Sequence, residues 1–534
     1  MYMKTALKNN IEKTLSALLF IVMCLYTCQT YAQMMNMTPY DLPIPDSLRL
    51  ATDKRMTKEQ AIYDINALIY TVSEVHPNMY AMCNQGEFMS RVNAIELEMP
   101  DTLTRATLYK YVAPLLALLG DGHTHVFPPY NDILTKTVLR FPLQVDVDNQ
   151  SGKITARYSL FGIPKGAEIT EINGVSSAAI IENLLQYVSG ERPFFRLMKL
   201  KDYFSALFQL CYYADKYTIK YVWKNNIKET ILKGATFDEI IAEKKKVEKS
   251  TGKLLETKKQ EQKHFEYQLL EGGRVALMSF NDCTDPSGMT VFLDSMITEI
   301  NAKKVQNLII DVRKNDGGDS RIGDLIFERI SKVPFQQFGK AFMRITPTTQ
   351  RLLKNAYGDK FLSPTGLYLE NEDSLNVPLN NKAHCYTGKV WLLTSNYTFS
   401  SAASFSWAFK YFNMGKVVGE ETGGMNVCFG DVLEYRLPIS QLYCYISYKR
   451  FWQYGADETD IHGTIPDIAV PADKALETTL QLIRNKKIKK ICTIKITILY
   501  WRAIRPGEKS CCVVSILHSM CVCNQILPKH ILTL

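Results

Sequence analysis

Several protein classes are excluded by what this 534-residue chain lacks. No two cysteines stand as CxxC. The six between residues 33 and 485 (Cys83, Cys211, Cys283, Cys385, Cys428, Cys444) are widely scattered, so no zinc site is read from spacing. There is no GxxxxGK[ST], which removes the common phosphate loop. The main apolar run of the amino-terminal segment, Leu15 to Tyr26, is a dozen residues; about 20 are needed to span a bilayer. Stable membrane insertion is therefore not expected. Charge of one sign is also missing where it would matter. The net +9 comes from the two ends: nine Lys or Arg against Glu508 after residue 485, and Lys4, Lys8 and Lys13 against Glu12 in the first 32 residues. The rest is close to neutral and gives no basis for nucleic-acid binding.

What is present is ordinary for a folded chain: 46% hydrophobic and 22% charged residues. Residues 1–32 have a basic start, the short apolar run, and Thr30-Tyr31-Ala32 before Gln33. They read as a cleaved secretory signal, so export to the periplasm, cell envelope or exterior is expected. Cys28 would allow a lipid anchor, but Thr27 before it fits poorly. Residues 45–130 read as a helical region. Ile62, Ile65, Leu68, Ile69 and Val72 recur at helical spacing, Thr57 and Gln60 form a capping box, and His76-Pro77 ends the helix. Thr104 to Leu119 repeats the pattern up to Gly120. The turn Gly120-Asp121-Gly122-His123-Thr124-His125 follows. Its histidines could supply a base, form a metal pair, or lie on the surface.

Residues 136–235 alternate short strands (Val138 to Val147, Lys153 to Tyr158, Tyr217 to Val222) with turns, and place a helix at Ser177 to Tyr187. Residues 236–266 are rich in Lys, Glu and Gln and read as a solvated linker or exposed helix. From 267 to 485 strand and helix alternate, the pattern of an α/β core. Val275 to Phe280 and Asn307 to Val312 are buried strands, and the second leads into Gly317-Gly318. Adjacent glycines there let backbone N–H groups approach a ligand. Val432 to Leu437 and Leu442 to Tyr448 predict a hairpin. The basic, cysteine-rich extension 486–534 matches nothing before it.

The stretch from Lys389 to Gly424 organises the rest. Val390 to Leu393 is a short strand. Thr398 to Phe412 is a helix with small residues first and Phe405, Phe409 and Phe412 on one face. Val417-Val418-Gly419 begins another strand. Serines at a helix start are either caps or nucleophiles whose oxyanion the unpaired N–H groups stabilise.

The order of these pieces resembles the tail-specific (C-terminal processing) serine peptidase family. The stretches that carry the resemblance are NLIIDVRKNDGG (307–318), TFSSAASF (398–405) followed by VVGEETGG (417–424), and GTIPDI (463–468). Residues Gly162 to Gly174 resemble a PDZ module, which adds a peptide strand to a sheet edge and holds its carboxylate on backbone N–H groups. The resemblance covers roughly residues 55–485. It implies a ClpP/crotonase-like β/α peptidase core with a helical amino-terminal region and an inserted PDZ-like β domain. In one branch of the family a lysine follows the VVGE strand; Met425 stands there instead. The tricorn-like, retinoid-binding-protein-like Ser–His branch is the better match. By that likeness Ser400 is the nucleophile and His123 the base. Asp460 orients the imidazole, with Glu458 as its rival. The N–H groups of Ser401 and of Gly317 or Gly318 form the oxyanion hole, and Gly162, Ile163 and Gly166 bind substrate. Peptides or proteins are the implied substrates, and no metal or organic cofactor is implied. His125, His384 and His462 are left structural. A non-catalytic peptide or hydrophobic-ligand binding protein on the same fold is the alternative.

Overall fold

The computed structural model describes residues 55–252, 263–357, 366–371 and 374–485. The expected signal segment and the extension 486–534 lie outside the described residues. The chain divides into two units at Ala472/Asp473; the described part of the second is essentially a helix over 475–485.

In the first unit the helix Lys58–Val75 begins with both halves of the Thr57/Gln60 capping box in place. Ile65, Leu68 and Val72 form its buried stripe. The helix Arg105–Ala117 follows. Gly120, at φ +65°, then turns the chain out of helical geometry. Five residues later His125–Val126 pairs with Cys444 and Tyr445 as a short antiparallel strand. The Asp121–His123 turn is thus fixed at both ends.

The strand Val138 to Val147 expected from sequence shortens to Val145–Val147. Pro142 has no N–H for a ladder, and Arg140 makes only an isolated bridge to Ala235. Ile154–Ala156, Glu168–Ile172, Lys216–Trp223 and Asn226–Lys233 complete an antiparallel sheet. A helix not anticipated from sequence, Pro193–Tyr212, lies between its strands in the chain, with proline in its first turn. The lysine-rich segment after this sheet is in part a helix, Phe237–Thr251, capped by Thr236 and Glu239 and ended by Gly252 at φ +66°.

The central sheet runs in the order Phe265–Leu270, Val275–Phe280, Asn307–Asp311, Lys389–Thr394, Lys416–Gly419, Ile468–Ala469. Only its first pair is antiparallel. Parallel strands covered on both faces read as continuous apolar runs, as ALM, LII and VWLL do here. Helices Pro286–Ala302, Arg321–Ile330 and Ser400–Tyr411 contribute to its core, where Phe327 and Phe405 stack at 4.4 Å. Phe405 and Phe409 are buried as the helical spacing predicts; Phe412 sits at the helix end against Tyr411 and Tyr454.

A second sheet holds Gly366–Asn371, Phe338–Ile345, Tyr443–Gln453 and Val427–Arg436. The predicted hairpin is present but longer at its open end. Gly430 and Asp431 have turn chemistry, yet Gly430 stays in the ladder opposite Lys449.

Candidate active site

The parallel strand Lys389–Thr394 delivers the chain to the start of the helix Ser400–Tyr411. Ser400 adopts φ +49°, a left-handed conformation that costs a non-glycine residue roughly 1–2 kcal/mol. The surroundings enforce it. Thr398 Oγ1 donates to the Val312 carbonyl at 2.9 Å, and the Phe399 N–H donates to the Asn315 carbonyl at 3.1 Å. On the far side the Thr398 carbonyl accepts from Gly423 at 2.8 Å. A strained serine opening a helix is a prepared position rather than an ordinary cap. Phe399, not a serine, occupies the cap position, and it makes no side-chain capping bond.

Gly317 and Gly318 arrive from the neighbouring strand Asn307–Asp311 at φ +110° and +125°. A side chain on Gly317 would meet Ser400 Cβ at 2.6 Å, and one on Gly318 would meet the Cys283 carbonyl oxygen at 2.4 Å. The two differ as donors. The Gly317 N–H is already given to Asn315 Oδ1 at 2.9 Å, whereas the Gly318 N–H makes no hydrogen bond among the described residues. Ser401 ties the loop to the helix through Oγ to the Gly318 carbonyl at 2.5 Å.

His123 reaches the same place from the helical region. Its ring stacks on Phe399 at 4.5 Å, and Phe399 stacks on Phe195 at 4.3 Å. His123 and Ser400 together line two cavities, of about 310 and 320 Å³. The first is flanked by Gly318, Ser401, Phe429 and Phe451. The second is walled by Phe127, Tyr203, Tyr397 and Tyr445. Burial pushes the imidazole below its ordinary value; the Asp121 carboxylate opposes this and the Lys199 ammonium adds to it.

Asp121 is the carboxylate nearest the ring, with Oδ1 3.9 Å from His123 Nδ1. Oδ1 also accepts the His123 backbone N–H at 2.9 Å. Oδ2 accepts from Ser447 Oγ at 2.6 Å and lies 3.2 Å from His76 Nε2. His76 Nδ1 accepts the Asn78 N–H at 3.2 Å, which assigns the His76 proton to Nε2 and makes it a donor to Asp121. Burial would raise the Asp121 carboxyl, but His76, His123 and Ser447 together hold it well below the usual range. It is a buried, fully hydrogen-bonded anion.

The carboxylates expected to orient His123 are engaged elsewhere. Glu458 accepts from Arg450 Nη2 at 2.6 Å and Trp452 Nε1 at 3.0 Å. Asp460 accepts the Asp457 N–H at 2.9 Å and lies 3.6 Å from His462 Nε2. Among the described residues neither bonds to His123. Of the expected substrate-binding positions, Ile163 is fully buried and exchanges backbone bonds with Leu160, and the Gly166 N–H goes to the Ala156 carbonyl at 2.8 Å. Among the described residues the Gly162 N–H has no backbone partner. Met425 is buried.

Sequence reasoning missed His76, Ser447, Phe195, Glu191 and Lys199. Asp121 was legible as one half of Asp-x-His, where a carboxylate can accept the N–H two residues on. The others carry no local signal. Among the described residues no group of three or more His, Cys, Asp or Glu side chains is placed to hold a metal ion, the six cysteines there are free thiols, and no helix is long and apolar enough to cross a membrane.

Residues 272–470 match the model of Peptidase family S41. The match contains Ser400 and the double glycine; His123 lies outside it. No curated protein matches the chain. Among solved structures, mature CPAF is 14% identical, with 82% of this chain and 97% of that chain covered and a TM-score of 0.56. Mature CPAF complexed with lactacystin is 14% identical, covering 82% and 98%, at 0.55. The likeness is one of fold.

Proposed function

We propose that this chain, a serine-type peptidase of the S41 family, hydrolyses peptide bonds with Ser400 as nucleophile and His123 as base. The observation that carries the reading is Ser400 itself: a left-handed serine at a helix start, beside Gly318, facing the same cavities as a buried imidazole. A serine hydroxyl is a weak nucleophile until a base takes its proton. His123 Nδ1 lies 3.9 Å from Asp121 Oδ1, and neither ring nitrogen has a hydrogen-bond partner among the described residues; Nε2 is assigned to the Ser400 proton, across the cavities the two residues share. With its pKa lowered by burial it is neutral, and so able to accept, at pH 7.

The steps follow. His123 Nε2 takes the Ser400 proton while Oγ attacks the peptide carbonyl carbon. The oxyanion is held by the N–H groups of Ser401 and Gly318, at the positive end of the Ser400–Tyr411 helix. Gly317 is excluded from this role because Asn315 occupies its N–H. His123 then gives its proton to the leaving amine as the C–N bond breaks. Water enters, loses its proton to His123, and attacks the ester; the acid leaves and the proton returns to Ser400. Asp121 holds the His123 backbone N–H and, with Oδ1 3.9 Å from Nδ1, stabilises the charged ring, the role first assigned to Asp460 or Glu458. Read as a secretory signal, residues 1–32 support a reaction carried out after export. The antiparallel sheet between Val145 and Lys233 serves as the PDZ-like element that presents substrate termini; Asn226–Lys233 is one of its two edge strands.

Ser400→Ala tests the reading. Hydrolysis of fluorescein-labelled casein should fall to background with the fold unchanged by circular dichroism. Hydrolysis at the parent rate by the folded variant excludes Ser400.

A further inference from the structure

Gly122, the residue before His123, is gripped from both sides. Its N–H donates to Glu191 Oε1 at 3.1 Å, and its carbonyl accepts from Lys199 Nζ at 2.7 Å. Both side chains come from one place. Glu191 ends the turn before the helix Pro193–Tyr212, and Lys199 projects from that helix. The helix also touches the turn directly: a Cβ on Gly122 would meet Glu191 Oε2 at 2.9 Å, Phe195 Cε1 at 2.9 Å and Phe399 Cζ at 3.0 Å. Only glycine fits, yet glycine is the residue whose φ and ψ are least restrained by its own atoms. The two bonds restrain it from outside. One fixes the peptide plane before Gly122, the other the plane after it, and together they set the direction of the His123 side chain.

We infer that Glu191 and Lys199 are positioning residues for His123, a half-buried acid and base that hold the Gly122 peptide on both sides and so aim the imidazole at Ser400. The inference rests on His123 being the base. It makes the helix Pro193–Tyr212, which belongs in the chain to the inserted β segment, a working part of the catalytic site. Further contacts run the same way. Arg192 lies 3.4 Å from Glu421, and Asn149 and Gln150 both donate to Asn396 Oδ1, at 2.7 and 2.8 Å, four residues before the nucleophile.

Charge suits the task. Hydrogen bonds with one ionised partner are about twice as strong as neutral ones, and the opposite charges offset each other's burial. Burial pushes the Lys199 ammonium down to about 8, with Glu191, Asp121 and Asp202 opposing it. Burial raises the Glu191 carboxyl to about 7, and the Asp121 charge adds to that, so its bond to Gly122 is fully charge-assisted only on the alkaline side of neutrality. The groups that face His123 are Asp121, Lys199 and Asp431, and Lys199 keeps its proton affinity low. Removing the ammonium therefore raises the His123 pKa and moves the acid limb of activity to higher pH. It should also remove any alkaline fall in activity that comes from loss of the Lys199 proton, whose affinity burial lowers.

The experiment uses full-length Glu191→Ala, Glu191→Gln, Lys199→Met and Lys199→Arg, with His123→Ala as reference, on a quenched fluorescent casein peptide. Glu191→Ala and Lys199→Met should lose roughly tenfold to a hundredfold in kcat, the scale of a misplaced catalytic group, with KM within about threefold. Glu191→Gln, which keeps an acceptor, and Lys199→Arg, which keeps a donor, should recover most of it. Lys199→Met should shift the acid limb upward. Unchanged kcat in both truncations overturns the inference. So does a loss without a shift of the limb and without rescue, which marks a purely structural role. If Glu191→Ala or Lys199→Met fails to fold, the alkaline fall in Lys199→Arg decides: it must move above pH 8. If His123→Ala stays fully active, the base assignment has failed, and that outcome is separate from a clamp that fails while His123→Ala is dead.

Discussion

Replacing Gly317 by alanine offers a sharp perturbation, because the structure gives its size. The new methyl would sit 2.6 Å from Ser400 Cβ, 3.0 Å from the Ser401 nitrogen and 3.1 Å from the Phe399 carbonyl oxygen. Carbon atoms pack at about 3.5–4.0 Å, so Ser400 must retreat by about 1 Å. A shift of that size can lower the rate about a hundredfold. Stability suffers separately. At φ +110° an L-residue costs about 1–3 kcal/mol, and overpacking costs about 1–3 kcal/mol more. The control is Gly174→Ala, also at positive φ but with nothing within 4 Å; it should show strain alone, with kcat unchanged. Steady-state kinetics on a fluorogenic peptide and thermal melts measure both terms. A Gly317→Ala protein that melts like the parent and keeps its kcat would refute the placement of Gly317 against the nucleophile.

The remaining expectations are briefer. The acid limb of kcat/KM should lie below pH 6.5, because burial lowers the His123 pKa and the neutral imidazole is the active form; a limb above that value contradicts the assignment. Asp121→Asn should cost roughly tenfold to a hundredfold in kcat and move that limb further down, since the carboxylate supports the protonated ring. Glu458→Gln and Asp460→Asn should stay within about threefold, and the reverse ranking would return the orienting role to the later acids. Asn315→Ala should destabilise by about 1–3 kcal/mol, because the Phe280 carbonyl and the Gly317 N–H lose their partner in the interior. Chemical denaturation reads that loss.

Much of the core was legible because its signals are local. Buried parallel strands announce themselves as apolar runs, and the ALM, LII and VWLL segments lie where they were expected. Ser400 and the double glycine stood out because turn chemistry and helix starts are read within a few residues. The helix Pro193–Tyr212 was not legible. Its apolar positions are interrupted by Arg196, Lys199 and Lys201, and two of these charges point inward to carbonyls rather than to water: Arg196 to Leu185 and Val188, Lys199 to Gly122. Amphipathic periodicity cannot announce an inward-facing cation. That the acids expected to orient His123 have other partners was hidden for a related reason. Glu458 and Asp460 fit a motif position, but nothing in their own sequence shows that Arg450, Trp452 and His462 engage them. Asp121 was two residues from the histidine throughout. Its partners His76 and Ser447 are 45 and 326 residues away, and only the fold brings them in.

The central claim is that Ser400 is a nucleophile activated by His123. Its most direct measurement is covalent trapping with a fluorophosphonate, followed by mass spectrometry of the digested protein. The account predicts one phosphonylated residue, Ser400, labelled at least a hundredfold more slowly in His123→Ala. Label on Ser401 or Ser404 instead, or equal labelling rates with and without His123, would contradict it.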